Sequence, residues 1–263
     1  MSIAAAERAL ADYATEPGRS ALVRISVDDR TWEGGVAADA VRPAASLLKL
    51  AVAIAAEEAI ADGALDGARR FSVAELGAEP GDRSVLDLLD PGRDVSVAEL
   101  LGLMLGSSDN PCARRLVELL GIDRVADVAA RLECAATAVW TDAEAGVGGT
   151  TTCRDALTLL AAASDPVRHP ASARALRHSI RNSRIPLGAT EDDIRIAHKT
   201  GTLSGLAHDV AVLECVGGTA QVAFLTEDQH DTLVTGYAMG ICTRQVLDAW
   251  GLSVRTTVSA VGG

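Results

Sequence analysis

The stretch PAASLLKLAVAIAAEE, residues 43–58, contains Lys49, one of the two lysines in the chain. The other, Lys199, lies in AHKTGTLSG, residues 197–205, and the rest of the 24 Lys and Arg residues are arginines. An arginine stays protonated in proteins, whereas a lysine that is buried or close to another cation can lose its proton and act as a base. The two lysines are therefore candidates for chemistry that a permanent positive charge cannot perform.

The first stretch predicts a helix that begins at Ser46, its N-cap, and ends near Gly63. Lys49 follows Ser46 by three residues, so both side chains lie on the same side of the helix, one turn apart. An amine at this position can reach the serine oxygen, and the positive end of the helix dipole favours an alkoxide. The alternative is a capping serine next to a solvated lysine.

Two further motifs accompany this pair. Ser108-Asp109-Asn110 lies in a loop between two predicted helices, where Asn110 fits an N-cap and Pro111 the first helical position; the alternative is an ordinary helix cap. Lys199-Thr200-Gly201 follows IRIAH, residues 194–198, which alternates like a strand; the alternative is a strand that ends in a turn. Because both lysines fall inside such motifs, the combination indicates one functional site.

The rest of the chain predicts strands at both ends and helices between them. A hairpin is predicted around Asp28-Asp29, a second one turns at Gly217-Gly218, and a helix follows over residues 232–250. The middle is predicted to be wholly helical, with a capping box at residues 96–99 and a helix that opens at the threonines of residues 150–152. The predicted fold class is α/β (α+β): an antiparallel sheet flanked by N- and C-terminal helices, plus an all-helical lobe. Residues 1–40 and 190–263 form the discontinuous α/β lobe, residues 41–189 form the helical lobe, and the active site lies in the groove between them.

Composition excludes several partners. The net charge is −12 and the sequence pI about 4.8, so a nucleic acid would be repelled. The sequence contains no run of 18 apolar residues, so no membrane span is predicted. Five cysteines without a Cys-x-x-Cys pair predict free thiols and no zinc or other metal site. The N-terminus has no export signal, which predicts a cytoplasmic protein unless a leader was removed. The oligomeric state stays open.

The three motifs, in this order, resemble the signature of the penicillin-recognising serine enzymes and in particular of the class A β-lactamases. The resemblance covers nearly the whole chain. It implies that Ser46 is a nucleophile that forms an acyl-enzyme with a strained lactam, an amide or an ester. It also implies that Lys49 is the general base, with a pKa lowered by burial and by the charge of Lys199, and that Ser108 relays a proton to the leaving nitrogen.

The resemblance further implies how a substrate binds. Asn110 would hydrogen-bond the acyl side of the substrate, and the backbone N–H groups of Ser46 and Thr202 would form an oxyanion hole, a contribution of about 3 kcal/mol per donor. The substrate would be a small molecule, and no cofactor or metal is implied. Its carboxylate would be received by Lys199, Thr200, Gly201 and Thr202.

One segment departs from the family pattern. Class A enzymes clear the acyl-enzyme with a water held by a glutamate in an Arg-x-Glu-x-x-Leu-Asn run, whereas residues 139–157 read VWTDAEAGVGGTTTCRDAL. Asp142 or Glu144 could replace the deacylating carboxylate, or either could be a solvated loop acid. Two more residues are candidates for the pocket: His208, for which a structural role is the alternative, and Arg184, as a partner for the substrate carboxylate.

Three functions fit these observations. The first is a β-lactamase-like serine hydrolase, and the second is a peptidase, esterase or acyl-transferase that uses the same acyl-enzyme. The third is a non-catalytic binder or sensor on the same scaffold, which the presence of Ser46, Lys49, Ser108 and Lys199 disfavours. A Ser-His-Asp hydrolase is not indicated, because the chain has no Gly-x-Ser-x-Gly motif.

Overall fold

The computed structural model describes residues 1–77, 84–190 and 193–253. Its largest sheet has five antiparallel strands in the order β2-β1-β10-β9-β8. The strands are β1 (Arg19–Val27), β2 (Arg30–Val36), β8 (Arg195–Leu203), β9 (Leu206–Cys215) and β10 (Gly218–Thr226). The two ends of the chain meet in this sheet, because β1 pairs with β10 over its whole length.

Both predicted hairpins are confirmed. The β1–β2 turn places Asp28 at φ 51°, and the β9–β10 turn places Gly217 at φ 89°, so each turn has a residue in the left-handed region. Helices α1 (Ile3–Tyr13) and α9 (Thr232–Trp250) pack on one face of the sheet and form an apolar cluster with it. The predicted fold class is confirmed.

The middle of the chain surrounds helix α2 (Lys49–Ala61), which is buried on nearly all sides from Lys49 to Ala56. A helix that is apolar all round belongs inside a core, and Lys49 is the charged residue in this buried run. Five helices of this part pack around α2: α4 (Val97–Gly106), α5 (Asn110–Leu120), α6 (Ile122–Arg131), α7 (Cys153–Ala163) and α8 (Pro170–Arg177). The short helix α3 (Val73–Leu76) packs on α5. Short 3-10 helices, which have three residues per turn, are formed by Ala45–Leu48, Val85–Leu88 and Ile185–Gly188.

Local signals set several boundaries of these helices. Ser96 and Glu99 form the predicted capping box at the start of α4, and Thr152 caps α7. The cap of α5 differs by one residue from the prediction: Asp109 is the N-cap, and Asn110 is the first helical residue. The carboxylate of Asp109 accepts a hydrogen bond from the Cys112 N–H at 3.1 Å, so the Asn110 side chain is left for another contact.

The middle is not wholly helical, which corrects the sequence analysis. It contains a three-stranded sheet, β3 (Arg42–Pro43), β7 (Gly146–Thr151) and β6 (Ala138–Asp142), and a two-stranded pair, β4 (Arg70–Ser72) and β5 (Asp94–Ser96). These strands are short and glycine-rich, or they pair with strands far away in the sequence. The alternation of apolar and polar residues along them is therefore too weak to predict a strand. The predicted boundaries of the two lobes stay a prediction, and residues 254–263 lie outside the described residues. Among the described helices, none is both long and apolar enough to cross a membrane.

Candidate active site

Ser46 lies in the 3-10 segment Ala45–Leu48, which leads directly into α2. It is therefore not the N-cap of an α-helix, as the sequence analysis predicted. The 3-10 turn supplies its own first bonds, from Leu47 N–H to the Ala44 carbonyl and from Lys49 N–H to the Ser46 carbonyl, so no side-chain cap is needed. Residues three apart eclipse each other in a 3-10 turn, which keeps the Ser46 and Lys49 side chains on one side.

The Ser46 segment is held between two strands. On one side, Ala44 N–H donates to the Gly149 carbonyl of β7 at 2.8 Å. On the other side, a Cβ added to Gly201 of β8 would lie 3.2 Å from the Ala45 Cβ, so glycine permits this close approach. Ala45 itself has φ 48°, an uncommon conformation for a residue with a side chain. Strained residues of this kind cluster at functional sites.

Lys49 is fully buried below this segment. Its Nζ donates to the Ser108 carbonyl at 2.7 Å and to the Asn110 Oδ1 at 2.5 Å. A charged group out of water needs such partners, and both come from the Ser108-Asp109-Asn110 loop. The helix that carries Ser46 is thereby tied to the loop that carries Ser108.

Lys199, 1% exposed, reaches the same loop from β8. Its Nζ donates to the Ser108 Oγ at 2.9 Å and to the Thr200 carbonyl at 2.8 Å. Burial, followed by the positive charges of Lys49 and Arg181, holds the pKa of Lys199 well below its usual value. Ser108 is thus the residue on which both lysines converge, one at its carbonyl and the other at its hydroxyl.

The Ser108 loop has a strained and well-anchored backbone. Ser108 has φ 65°, in the left-handed region. Asp109, 1% exposed, accepts hydrogen bonds from the Ser84 hydroxyl at 2.7 Å and from the Val85 N–H at 2.9 Å, besides capping α5. These bonds fix the loop, so that the conformation of Ser108 is imposed by its surroundings.

These elements enclose a cleft of about 330 Å³. Many of the predicted site residues line it: Ser46, Ser108, Asn110, Asp142, Glu144, Thr200 and Thr202. The other predicted residues are buried behind the lining: Lys49, Lys199, Gly201, His208 and Arg184. Ser108 connects the two sets, because it lines the cleft and accepts hydrogen bonds from the buried Lys49 and Lys199.

A model of the β-lactamase enzyme family matches residues 4–250. The chain belongs to the β-lactamase enzyme family. Membership accounts for the fold and for the order of the motifs, and it makes the protein a serine hydrolase. No curated protein is similar enough in sequence to match.

Solved structures of the family are similar over nearly the whole chain. A β-lactamase from Sphaerobacter thermophilus is 25% identical with a TM-score of 0.83, and the match covers 97% of this chain and 100% of that one. PBP-A is 20% identical with a TM-score of 0.80, covering 95% of this chain and 96% of its own. A β-lactamase from Chitinophaga pinensis is 18% identical with a TM-score of 0.78, covering 94% and 99%.

The segment that departs from the family pattern forms the β6–β7 hairpin in this β-lactamase-family chain. The Asp142 Oδ1 accepts hydrogen bonds from the Glu144 N–H at 3.0 Å and from the Ala145 N–H at 2.7 Å, so Asp142 shapes the turn. The Glu144 side chain is exposed, and its carbonyl accepts a hydrogen bond from Arg114. Both carboxylates line the cleft, and Asp142 also has a structural task.

His208 lies on β9 opposite Gly201 of β8, and Arg184 contacts both strands. Thr226 N–H donates to the His208 Nδ1 at 3.0 Å, which places the ring proton on Nε2, 2.8 Å from the Pro43 carbonyl. Burial lowers the pKa of His208 to about 4. Arg184 donates to the Gly201 carbonyl at 2.8 Å, to the Thr202 Oγ1 at 2.6 Å and to the His208 carbonyl.

Two residues of the cleft were missed by the sequence analysis. Arg181 is exposed, lines the cleft, and donates from Nε to the Ser107 carbonyl at 3.1 Å. Nothing in SIRNSRIP, residues 179–186, distinguishes Arg181 from Arg184 as the one that faces the cleft. Trp140 of β6 also lines the cleft and is 49% exposed. The scarcity of aromatic residues, 3% of the chain, was a signal that could have drawn attention to it.

Proposed function

We propose that this protein is a serine hydrolase that a β-lactam, or a related carboxylate-bearing amide or ester, acylates at Ser46. The observation that carries the proposal is the convergence of two buried lysines on Ser108 beside the cleft that Ser46 lines. Burying two amines is costly, and Arg would keep its proton at either position. A proton-transfer role explains why this chain retains lysine at these two positions alone.

The acylation step uses both lysines. The Ser46 Oγ attacks the carbonyl carbon, and its proton passes to the Lys49 amine. A neutral amine has two N–H groups, enough for the Ser108 carbonyl and the Asn110 oxygen, and one lone pair for the proton. The backbone N–H groups of Ser46 and Thr202 hydrogen-bond the oxyanion. When the C–N bond breaks, the Ser108 hydroxyl protonates the leaving nitrogen, and Lys199, as an ammonium, returns a proton to the Ser108 oxygen. Lys49 therefore ends the step protonated and Lys199 ends it neutral.

A substrate carboxylate fits the β8 side of the cleft. Arginine only donates hydrogen bonds, so Thr202 accepts from Arg184 and keeps its own hydroxyl proton for an anion. Thr200, next to Lys199, and Arg181, on the same side, add a hydroxyl and a positive charge to the lining. Arg181 therefore takes the role that the sequence analysis gave to Arg184, and Arg184 orients Thr202.

A second function, a peptidase, esterase or acyl-transferase with the same acyl-enzyme, is favoured by the β6–β7 hairpin. Of its two acids, Asp142 is engaged in the turn and Glu144 is exposed. A water held by such groups is less desolvated than one held by a buried carboxylate, so we expect acylation to be faster than hydrolysis. A variant of PBP-A has been solved as an acyl-enzyme complex with penicillin G.

Intact-mass measurement after incubation with benzylpenicillin tests the proposal. We expect an adduct equal to the mass of the drug on the wild type and none on Ser46→Ala. Ser107→Ala is the matched control, because its hydroxyl donates to the Leu103 carbonyl and it does not line the cleft; it should acylate like the wild type.

The same measurement separates the candidate functions. A persistent adduct supports the second function, and free enzyme with opened drug supports a β-lactamase. Absence of both adduct and turnover, with penicillins and with carboxylate-bearing esters, would contradict the proposal and leave a binder or sensor.

A further inference from the structure

Trp140 is a large apolar side chain left half exposed in a functional cleft. The chain has three Trp, two Tyr and two Phe, and all seven lie in the described residues. Of these, Trp140 is the one that lines the cleft, while Trp32 and Trp250 pack against each other on the far face of the main sheet. Exposed aromatic residues in a concave site are common recognition elements for ligands.

The backbone below Trp140 fixes the position of its ring. Trp140 of β6 pairs directly with Gly148 of β7. A Cβ added to Gly148 would lie 2.8 Å from the Trp140 Nε1 and 3.3 Å from its Cδ1. The indole therefore lies against the bare backbone of Gly148, and a larger residue there would push it away. The ring is braced by the hairpin without being buried in a core.

Because Ser46 lies between β7 and β8, a substrate bound at Ser46 extends from the β8 side of the cleft to the hairpin side. The β8 side carries the hydroxyls and positive charges proposed to bind a carboxylate: Lys199, Thr200, Thr202 and Arg181. The hairpin side carries Trp140, Val147, Gly148 and Gly149. A substrate with its carboxylate on β8 and its reactive carbonyl at Ser46 extends its acyl side chain past Asn110 towards the hairpin side.

We propose that Trp140 makes the enzyme select acyl donors with an aromatic acyl side chain, an inference that rests on the proposed acylation of Ser46. Aromatic rings stack on each other with an offset, and this attraction exceeds that of an aliphatic group of equal area. Gly148 lets the indole lie directly against the hairpin backbone, so the ring offers a fixed flat surface to a ligand. Pro111, another residue of the cleft lining, adds an apolar surface.

Acylation kinetics with three penicillins test this inference. They are benzylpenicillin, the analogue with a cyclohexylmethyl group in place of benzyl, and the penicillin nucleus with a free amine and no acyl side chain. We expect the wild type to react fastest with benzylpenicillin. In Trp140→Leu this rate should fall about tenfold, the scale of a lost apolar contact, while the rate with the bare nucleus stays unchanged. Trp140→Phe should keep most of the preference.

The controls separate this inference from the proposed function. Trp32→Leu removes a Trp that is outside the cleft and should not alter the preference. An equal fall for all three penicillins in Trp140→Leu, or no fall, would overturn the inference, as would a wild type that accepts benzyl and cyclohexylmethyl equally. In each of these cases the bare nucleus still acylates Ser46, so the proposed function stands. Failure of the wild type with all three compounds would overturn the proposed function as well.

Discussion

The two walls of the cleft are built in opposite ways. The β8 wall, with Lys199, Thr200 and Thr202, is backed by a buried polar network. The wall formed by the β6–β7 hairpin consists of glycines, two acids in or near a turn, and one half-exposed Trp. The groups proposed for proton transfer and carboxylate binding are therefore held by a buried network, while those proposed for the acyl side chain and for water lie on a short surface element.

The buried polar groups of the network at β8 and β9 hydrogen-bond one another. His198 bonds through Nδ1 to the Asp209 Oδ1 at 3.0 Å and through Nε2 to the Asn182 Oδ1 at 3.1 Å. The other carboxylate oxygen of Asp209 accepts from the Ile185 N–H at 3.0 Å. Buried polar groups are costly unless they are paired, so this wall tolerates little change. The hairpin is held differently, by the turn hydrogen bonds of Asp142 and by close backbone packing at its glycines.

Lys49 lies between the two walls and gives the largest expected effect. Lys49→Arg should slow acylation by on the order of a thousandfold, because a guanidinium cannot accept the Ser46 proton. The rate of adduct formation with benzylpenicillin measures this effect. Lys49→Met, which leaves no ionisable group at position 49, should be equally slow while keeping its thermal unfolding transition. Wild-type labelling of either variant would remove Lys49 from the mechanism.

His208 tests how much the β8 wall depends on its buried network. Its pKa of about 4 in the folded protein lies below the ordinary value of 6.5. The unfolded chain therefore binds more protons between these values, so the stabilising contribution is complete above pH 6.5 and is lost as the pH falls through 4. The shift corresponds to about 3 kcal/mol.

Denaturant unfolding from about pH 7.5 down to about pH 4 should show this loss in the wild type. His208→Gln keeps a donor for the Pro43 carbonyl and an acceptor for the Thr226 N–H without titrating. Its free energy of unfolding should fall less with pH than that of the wild type. Parallel curves for the two proteins would show that the burial of His208 does not set the acid limit.

Arg184 contributes to the β8 wall both a positive charge and a fixed set of hydrogen bonds, and a substitution can separate the two. Arg184→Lys keeps the positive charge, but one ammonium cannot reach the Gly201 carbonyl, the His208 carbonyl and the Thr202 Oγ1 in the geometry of a guanidinium. We expect a loss of about 2 kcal/mol in the free energy of unfolding. We also expect weaker acylation by carboxylate-bearing substrates, because Thr202 loses its donor.

The control for this exchange lies at the start of β8. Arg195 is at the start of β8 with its side chain 77% exposed, and Arg195→Lys should leave both stability and acylation unchanged. A substrate methylated at its carboxylate should react with the wild type and Arg184→Lys at similar rates. If Arg184→Lys slows the ester as much as the acid, Thr202 does not act through the carboxylate.

The main sheet and its flanking helices could be predicted from the sequence because their signals are local. Alternating apolar residues mark β1 and the start of β8, turn residues mark both hairpins, and the capping box of Ser96 and Glu99 marks α4. The candidate site was found through rare residue types: two lysines in a chain that otherwise uses arginine. Neither inference needed a contact between distant residues.

What could not be predicted depends on such distant contacts. The sequence did not predict the β6–β7 hairpin, because Gly146, Gly148 and Gly149 lower the strand propensity of β7. The pairing of β7 with β3 joins residues far apart in sequence, Arg42 and Thr151. Asp109 and Asn110 have similar capping preferences, and the bond from Lys49 to Asn110 decides between them. Arg181 and Arg184 have the same side chain, and their environments differ: Arg184 donates to the buried Gly201 carbonyl, whereas Arg181 lines the cleft and donates to the Ser107 carbonyl.

Glu144 offers the smallest expected effect and tests the hairpin wall directly. If its carboxylate activates the deacylating water, Glu144→Gln should slow the loss of the benzylpenicillin adduct about tenfold and leave adduct formation unchanged. Asp142→Asn is the matched control, since an amide oxygen still accepts from the Glu144 and Ala145 N–H groups and the turn is kept. Time-resolved intact mass gives both rates. Slower clearance in Asp142→Asn alone would move the role to Asp142. Equal clearance in all three proteins would mean that neither hairpin acid activates water, and that the acyl-enzyme is made for an acceptor other than water.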